Sequence, residues 1–125
     1  MTDPIADLII RIKNANMAGL KEVDIPYSKF KTEILKVAKK AGYFESIEEK
    51  TTKKKHSIVV KLCGNKINHF KRISKPGQKI YVKSKLIPRP LRGFGIVVIS
   101  TPKGIVSGDI ARKENLGGEI ICEIW

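Results

Sequence analysis

The sequence predicts an α+β fold, an N-terminal α-β-α-β-β half packed on a mostly β C-terminal half with a short helix. Three observations predict it. Apolar residues recur at helical spacing as far as Ala41 and again briefly around Ala111. Elsewhere they fall in short runs bounded by Gly, Pro, Asn and Ser, as strands do. A chain of 125 residues that is 42% hydrophobic can bury one core or two small ones, which excludes wholesale disorder. The interruption at Cys63–Gly64–Asn65 divides the chain into an N-terminal α/β domain, 1–64, and a C-terminal mainly β domain, 65–125.

In chain order, Asp3 caps a first helix that opens with Pro4, and Ile5, Leu8, Ile9 and Ile12 form its apolar stripe before Asn14–Gly19 ends it. Lys21–Pro26 alternates as a short strand. Ser28 caps a second helix with Phe30, Ile34, Val37, Ala38 and Ala41 as its buried stripe. Lys36, Lys39 and Lys40 complement the dipole at its end, and Gly42 suits the residue just past it. Tyr43–Glu49 and Ser57–Leu62 make a hairpin around a Thr51–Lys55 turn. Beyond the interruption, strands near Ile67–Ser74 and Lys79–Lys83 flank a Lys75–Pro76–Gly77 turn. Pro88 and Pro90 reduce the next stretch to a short helix at most. Phe94–Ser100 is an apolar, central strand and Gly104–Val106 a brief one. Asp109–Leu116 gives one or two helical turns, and Glu119–Trp125 ends the chain as a strand.

Charge narrows the partners. The net charge is +13, and no acid stands between Glu49 and Asp109. That acid-free stretch holds fifteen Lys and Arg residues. A merely solvated basic face carries interspersed acids as ion-pair partners. Their absence points to a polyanion, nucleic acid first and an anionic membrane surface second. Neither helix combines a basic face with aromatic anchors, which disfavours the membrane. The longest apolar run, Ile96–Ile99, is far below the ~20 residues of a membrane span. The acidic N-terminus is unlike a leader peptide, and two cysteines make no disulfide framework, so a cytosolic protein with reduced thiols is expected.

Enzymatic and metal chemistry find little support. His56, Cys63, His69 and Cys122 lack metal-ligand spacing; the cysteines read as buried apolar fillers and the histidines as surface residues. No nucleophile elbow, phosphate loop or carboxylate pair is present. No enzyme, no cofactor and no metal are expected. Arg92–Ile99 matches part of the RNA-recognition-motif octamer, with Ile80–Tyr81–Val82 as a companion. Ile96 replaces its second stacking aromatic, however, and the two segments are too close for the helix and strand that fold places between them.

Ser100–Thr101–Pro102–Lys103–Gly104 is more specific. Two hydroxyls suit ribose, phosphate and base edges; Lys103 adds a charge, Pro102 stiffens the loop, and Gly104 permits close backbone approach. The same residues also make an ordinary tight turn, and composition leaves the two readings even. Gly117–Gly118 likewise either ends the preceding helix or offers backbone N–H groups to an anion.

Three ordered blocks carry a family resemblance. They are Asp3–Asp7 with Arg11–Ala15; Arg72–Gly77; and Gly93–Ile96 through Ser100–Gly104, Ala111–Lys113, Leu116–Ile120 and the final Trp125. Together they resemble the bacterial small-subunit ribosomal protein S-eight family from end to end. The resemblance implies a structural, non-enzymatic constituent of the ribosome that is a primary binder of the central domain of small-subunit ribosomal RNA and aids its assembly. It implies contacts from Ser100, Thr101, Pro102, Lys103 and Gly104, supported by Gly117, Gly118 and Glu119, with Arg112, Lys75, Tyr81 and Arg92 in the same set. The family loop commonly reads Ser-Thr-Ser; Pro102 stands in place of the second serine and removes one hydroxyl. Implied partners are that RNA, neighbouring small-subunit ribosomal proteins and the protein's own messenger RNA, with no membrane and a monomer when free. The implied location is the cytoplasmic ribosome, an organellar one remaining open. A free-standing RNA chaperone or translational regulator is the alternative.

Overall fold

A computed structural model describes residues 4–64 and 67–125, so the expected cap Asp3 lies outside the described residues. The chain divides into two compact units, Met1–Ile67 and Asn68–Trp125.

In the first unit α1 (Pro4–Met17) buries Ile5, Leu8, Ile9, Ile12 and Ala15, the expected stripe and one turn more. The strand β1 (Glu22–Pro26) leads to Ser28, whose side chain accepts from the Lys31 N–H and caps α2 (Lys29–Lys40). The buried face of α2 differs from the expected stripe. Ile34 and Ala38 are buried, but Leu35, Thr32 and Lys31 join them, while Phe30 and Ala41 are exposed and Val37 is half-buried. Lys31 can turn inward because its ammonium reaches the Pro26 carbonyl at 3.4 Å, leaving the aliphatic stem to pack. At the other end Gly42 takes φ +91°. Its N–H donates to Lys39 O and the Tyr43 N–H to Ala38 O, closing the last turn as Gly42 foretells.

The strands β2 (Phe44–Thr52) and β3 (Lys55–Leu62) run longer than expected and reverse through Lys53–Lys54 alone. All pairings are antiparallel, in the order β1-β3-β2. The helix α1 packs on β1 and α2 on β2, around Leu8, Ile12, Ile25, Ile34, Leu35, Ile58 and Val60.

The second unit is a five-stranded antiparallel sheet ordered β4-β8-β6-β7, with β5 also on β8. The strands β4 (Phe70–Arg72) and β5 (Tyr81–Val82) are shorter than expected. Their neighbours still hydrogen-bond irregularly. The N–H groups of Ile73 and Ser74 donate to Ile121 and Ile120, and the Ile80 N–H is taken by the Ser74 hydroxyl at 2.8 Å. Lys75 and Gln78 exchange backbone hydrogen bonds around Pro76–Gly77, the expected turn. Ser84–Leu86 and Pro90–Gly93 form short 3-10 turns, the second kinked by positive φ at Leu91 and Arg92.

The interior strand β6 (Ile96–Thr101) starts two residues later than expected, because Phe94 points into solvent, 86% exposed. Then come β7 (Gly104–Ser107), α3 (Gly108–Lys113, capped by Ser107) and β8 (Gly118–Ile124). Ile121 has no partner opposite on β6, where Val98 faces Cys122 and Ile99 faces Ile120, so β8 is bulged there. Ile87, Val97, Ile99, Ala111 and Ile120 form a buried cluster, closed over by Ile73, Val82, Val106 and Leu116. Burial pushes the Cys122 thiol up to about 12, so it is a protonated filler as expected; Cys63 is only half-buried, contrary to expectation. His69 is also half-buried rather than a surface residue. It stacks on Trp125 with ring centroids 3.8 Å apart, and its Nε2 lies 3.0 Å from Glu123 Oε1.

Candidate nucleic-acid interface

The loop singled out in the sequence is the β6–β7 reversal. Thr101 pairs with Gly104, leaving Pro102 and Lys103 as a two-residue turn. Proline fixes φ at the first turn position, and Gly104 takes φ +125°, a conformation few side chains tolerate. Thr101 is 8% exposed. Its hydroxyl donates to Gly104 O at 2.7 Å and accepts from the Lys103 N–H at 3.2 Å. One side chain thus clamps both ends of the turn, and its donor is engaged within the protein. Ser100 is half-buried, and its hydroxyl has no hydrogen-bond partner among the described residues. The two hydroxyls that look alike in sequence therefore differ: Thr101 shapes the turn and Ser100 has unused capacity. Pro102, Lys103 and Gly104 are exposed at the tip.

Strand register then assembles a row. Tyr81 of β5 faces Glu119 of β8, Glu119 faces Ser100 of β6, and Ser100 faces Ile105 of β7. Directly opposed residues share a sheet face, so Tyr81, Glu119 and Ser100 stand side by side. Tyr81 is 66% exposed. The row offers an aromatic plane, a carboxylate acceptor and a free hydroxyl, with the Lys103 ammonium on the adjoining turn. Such a set can stack on a base, accept from an amino group or ribose hydroxyl, and neutralise a phosphate.

Gly117 and Gly118 make the row possible without the helix-ending role weighed for them. That role belongs to Asn115, which takes φ +56° while its N–H donates to Arg112 O and the Leu116 N–H to Ala111 O. The glycines admit close neighbours instead. A Cβ on Gly117 would lie 2.6 Å from Val82 O, and one on Gly118 would overlap the Ser100 carbonyl. Only hydrogen fits where β8 passes between β5 and β6.

Register does not bring the remaining residues of the expected set into this row. Arg112 is a strut: its Nη1 donates to Ile87 O at 3.3 Å and to Pro88 O at 3.4 Å, and its Nη2 pairs with Asp109. Lys75 is exposed at the Pro76–Gly77 turn, and Arg92 is exposed in the kinked 3-10 turn. Sequence reasoning missed a basic cleft of about 250 Å³ lined by Ser84, Lys85, Arg89, Arg112 and Asn115. Its sequence signal is the run Lys83, Lys85, Arg89 and Arg92, without an acid among them. Among the described residues no three His, Cys, Asp or Glu side chains cluster to hold a metal, and no helix is long and apolar enough to cross a membrane.

The family model described as Ribosomal protein S8 matches residues 3–125. The chain is similar to proteins named Small ribosomal subunit protein uS8. It is 43% identical to the one from Syntrophus aciditrophicus, over all of this chain and 98% of that relative. It is 47% identical to those from Mycoplasmopsis synoviae and Caldanaerobacter subterraneus subsp. tengcongensis, each over all of this chain and 98% of the relative.

Proposed function

The chain belongs to the ribosomal protein S8 family, and from that premise we propose that, as part of the small ribosomal subunit, it binds the central domain of small-subunit ribosomal RNA directly and aids its assembly. Membership in a family of ribosomal constituents agrees with the expectation that it is no enzyme. The observation that carries the RNA reading is the Tyr81–Glu119–Ser100 row with the Lys103 turn beside it. Irregular or unpaired RNA exposes base edges and 2′-hydroxyls that a regular duplex hides, and this set of groups suits them. Ser100, Glu119 and Tyr81 supply direct contacts, Lys103 and the tip backbone at Pro102 and Gly104 supply phosphate and sugar contacts, and Thr101, Gly117 and Gly118 hold the geometry. Arg112 braces the Ile87–Pro88 backbone, and Lys75 and Arg92 add peripheral charge. Other ribosomal proteins and the protein's own messenger RNA are further partners in this reading, the free protein is a monomer, and the place of action is the cytoplasmic ribosome.

The test compares binding of a central-domain RNA fragment and its scrambled counterpart. Ser100→Ala removes a directional contact worth about 1 kcal/mol, or roughly fivefold in discrimination, without touching the turn clamp. Lys103→Gln weakens both RNAs alike. A folded Ser100→Ala protein that discriminates as the parent does would overturn the assignment.

A further inference from the structure

The basic cleft of the second unit, about 250 Å³ in volume, is lined by Ser84, Lys85, Arg89, Arg112 and Asn115. Ser84 and Lys85 belong to the first 3-10 turn, and Arg89 stands just before the second. Ile87, between them, is buried in the core cluster, which anchors this stretch and leaves Lys85 and Arg89 exposed on either side of it. Arg112 is near the end of α3 and Asn115 just past it. Arg112 ties the two segments together through Ile87 O and Pro88 O.

The polar groups of this cleft are mostly donors, and most of them are unengaged. Arg112 uses Nη1 for the two carbonyls and Nη2 for Asp109, but among the described residues its Nε–H has no partner. The Lys85 ammonium and the Arg89 guanidinium pair with no carboxylate among the described residues. Nor do the Ser84 hydroxyl and the Asn115 amide have a side-chain hydrogen bond among them. Three cations therefore line one cleft, and the only carboxylate paired with any of them is that of Asp109. Such a concentration of like charge repels itself in the free chain and favours an anion of more than one charge.

Charge and shape select the ligand. A backbone phosphodiester carries a single charge and is flanked by sugars, so a protruding cation such as Lys103 suits it. A terminal phosphate or diphosphate concentrates about two or three charges on a compact group with several acceptor oxygens. Converging arginine forks and a lysine point charge match that group. The cleft is smaller than the roughly 300 Å³ at which pockets for whole drug-sized ligands begin. It has room for the phosphate part of a ligand and leaves the remainder outside.

We propose that this cleft is a binding site for a small, multiply charged phosphate compound, either inorganic pyrophosphate or the diphosphate end of a nucleotide. Arg89 and Arg112 bind phosphate oxygens, Lys85 neutralises charge, and Ser84 and Asn115 donate further hydrogen bonds. The site does not rest on the RNA reading above, because no residue of the Tyr81–Glu119–Ser100 row lines it.

Isothermal titration calorimetry of the full-length chain with inorganic pyrophosphate, at constant ionic strength, tests the proposal. The parent is compared with K85Q/R89Q and with K53Q/K54Q, which loses the same charge at exposed positions of the other unit. The parent is expected to bind one pyrophosphate per chain. K85Q/R89Q should bind it at least about tenfold more weakly, as loss of charge-assisted hydrogen bonds does. K53Q/K54Q should stay within about twofold of the parent, since salt screens distant charges. Circular dichroism confirms the fold, which changes at exposed side chains leave intact. Absence of a one-to-one phase in the parent, or equal weakening by the two double changes, overturns the site, because net charge alone then attracts the anion. Titration with adenosine diphosphate separates the sources: an affinity no higher than that of pyrophosphate assigns the inorganic anion, a higher one the nucleotide. A dinucleoside monophosphate, which carries a single diester, is expected to bind far more weakly. If it binds as tightly as pyrophosphate and K85Q/R89Q weakens it equally, the cleft takes a backbone phosphate and the proposal fails.

Discussion

Two residues show how far a side chain's environment separates like from like. Ser100 and Thr101 are adjacent hydroxyls, yet Thr101 closes the turn onto Gly104 and Lys103, and Ser100 makes no internal bond. The sequence could weigh contact against turn only for the loop as a whole, because both readings require the same residue types. Gly118 is the sharper case. A methyl group there would overlap the Ser100 carbonyl, backbone that cannot swing aside as a flexible side chain would. Gly118→Ala is therefore expected to destabilise the second unit by roughly 1–3 kcal/mol, as overpacking does. Trp125, the sole tryptophan, lies in that unit and is stacked on His69, so its fluorescence in a urea titration reports the loss. An unchanged midpoint would mean that β8 can move away from β6 at no cost.

At the scale of the element, the ends of α1, α2 and α3 use one device with different residues, and Gly19 closes α1 in the same way as the other two. Gly42 ends α2 and Asn115 ends α3, each at positive φ with the same pair of backbone hydrogen bonds behind it. The glycine was legible in the sequence; the asparagine was hidden by the Gly117–Gly118 pair that follows it. Asn tolerates the left-handed region better than other residues with a Cβ, and Gly better still. Asn115→Ala should therefore cost about 1 kcal/mol, and Asn115→Gly should be neutral or slightly stabilising. The same Trp125 titration orders the three proteins. Equal stabilities for Ala and Gly at 115 would remove the backbone explanation.

Over the whole molecule, charge dominates. Fifteen basic residues separate Glu49 from Asp109, and they are carried partly by the first unit and partly by the second. Neutralising several phosphates releases counterions, so affinity for RNA should fall steeply and linearly on a log–log plot as potassium rises, with a slope of several units. Filter binding across a salt series measures it. A flat response would refute an electrostatic interface, whatever the loop contributes to specificity.

The sequence by itself determined the element order, the β2–β3 hairpin, the Ser28 and Gly42 helix ends, the basic character and the family. Local periodicity, turn chemistry and net charge are properties of neighbouring residues, readable along the chain. Only the tertiary structure decided which face of α2 is buried, that Phe94 leaves β6 for solvent, and that Arg112 braces Ile87 and Pro88. It also decided that Tyr81, Glu119 and Ser100 form one row. Those outcomes depend on strand register, a bulge at Ile121 and the close passage of β8 past its neighbours, all set by contacts between residues far apart in sequence.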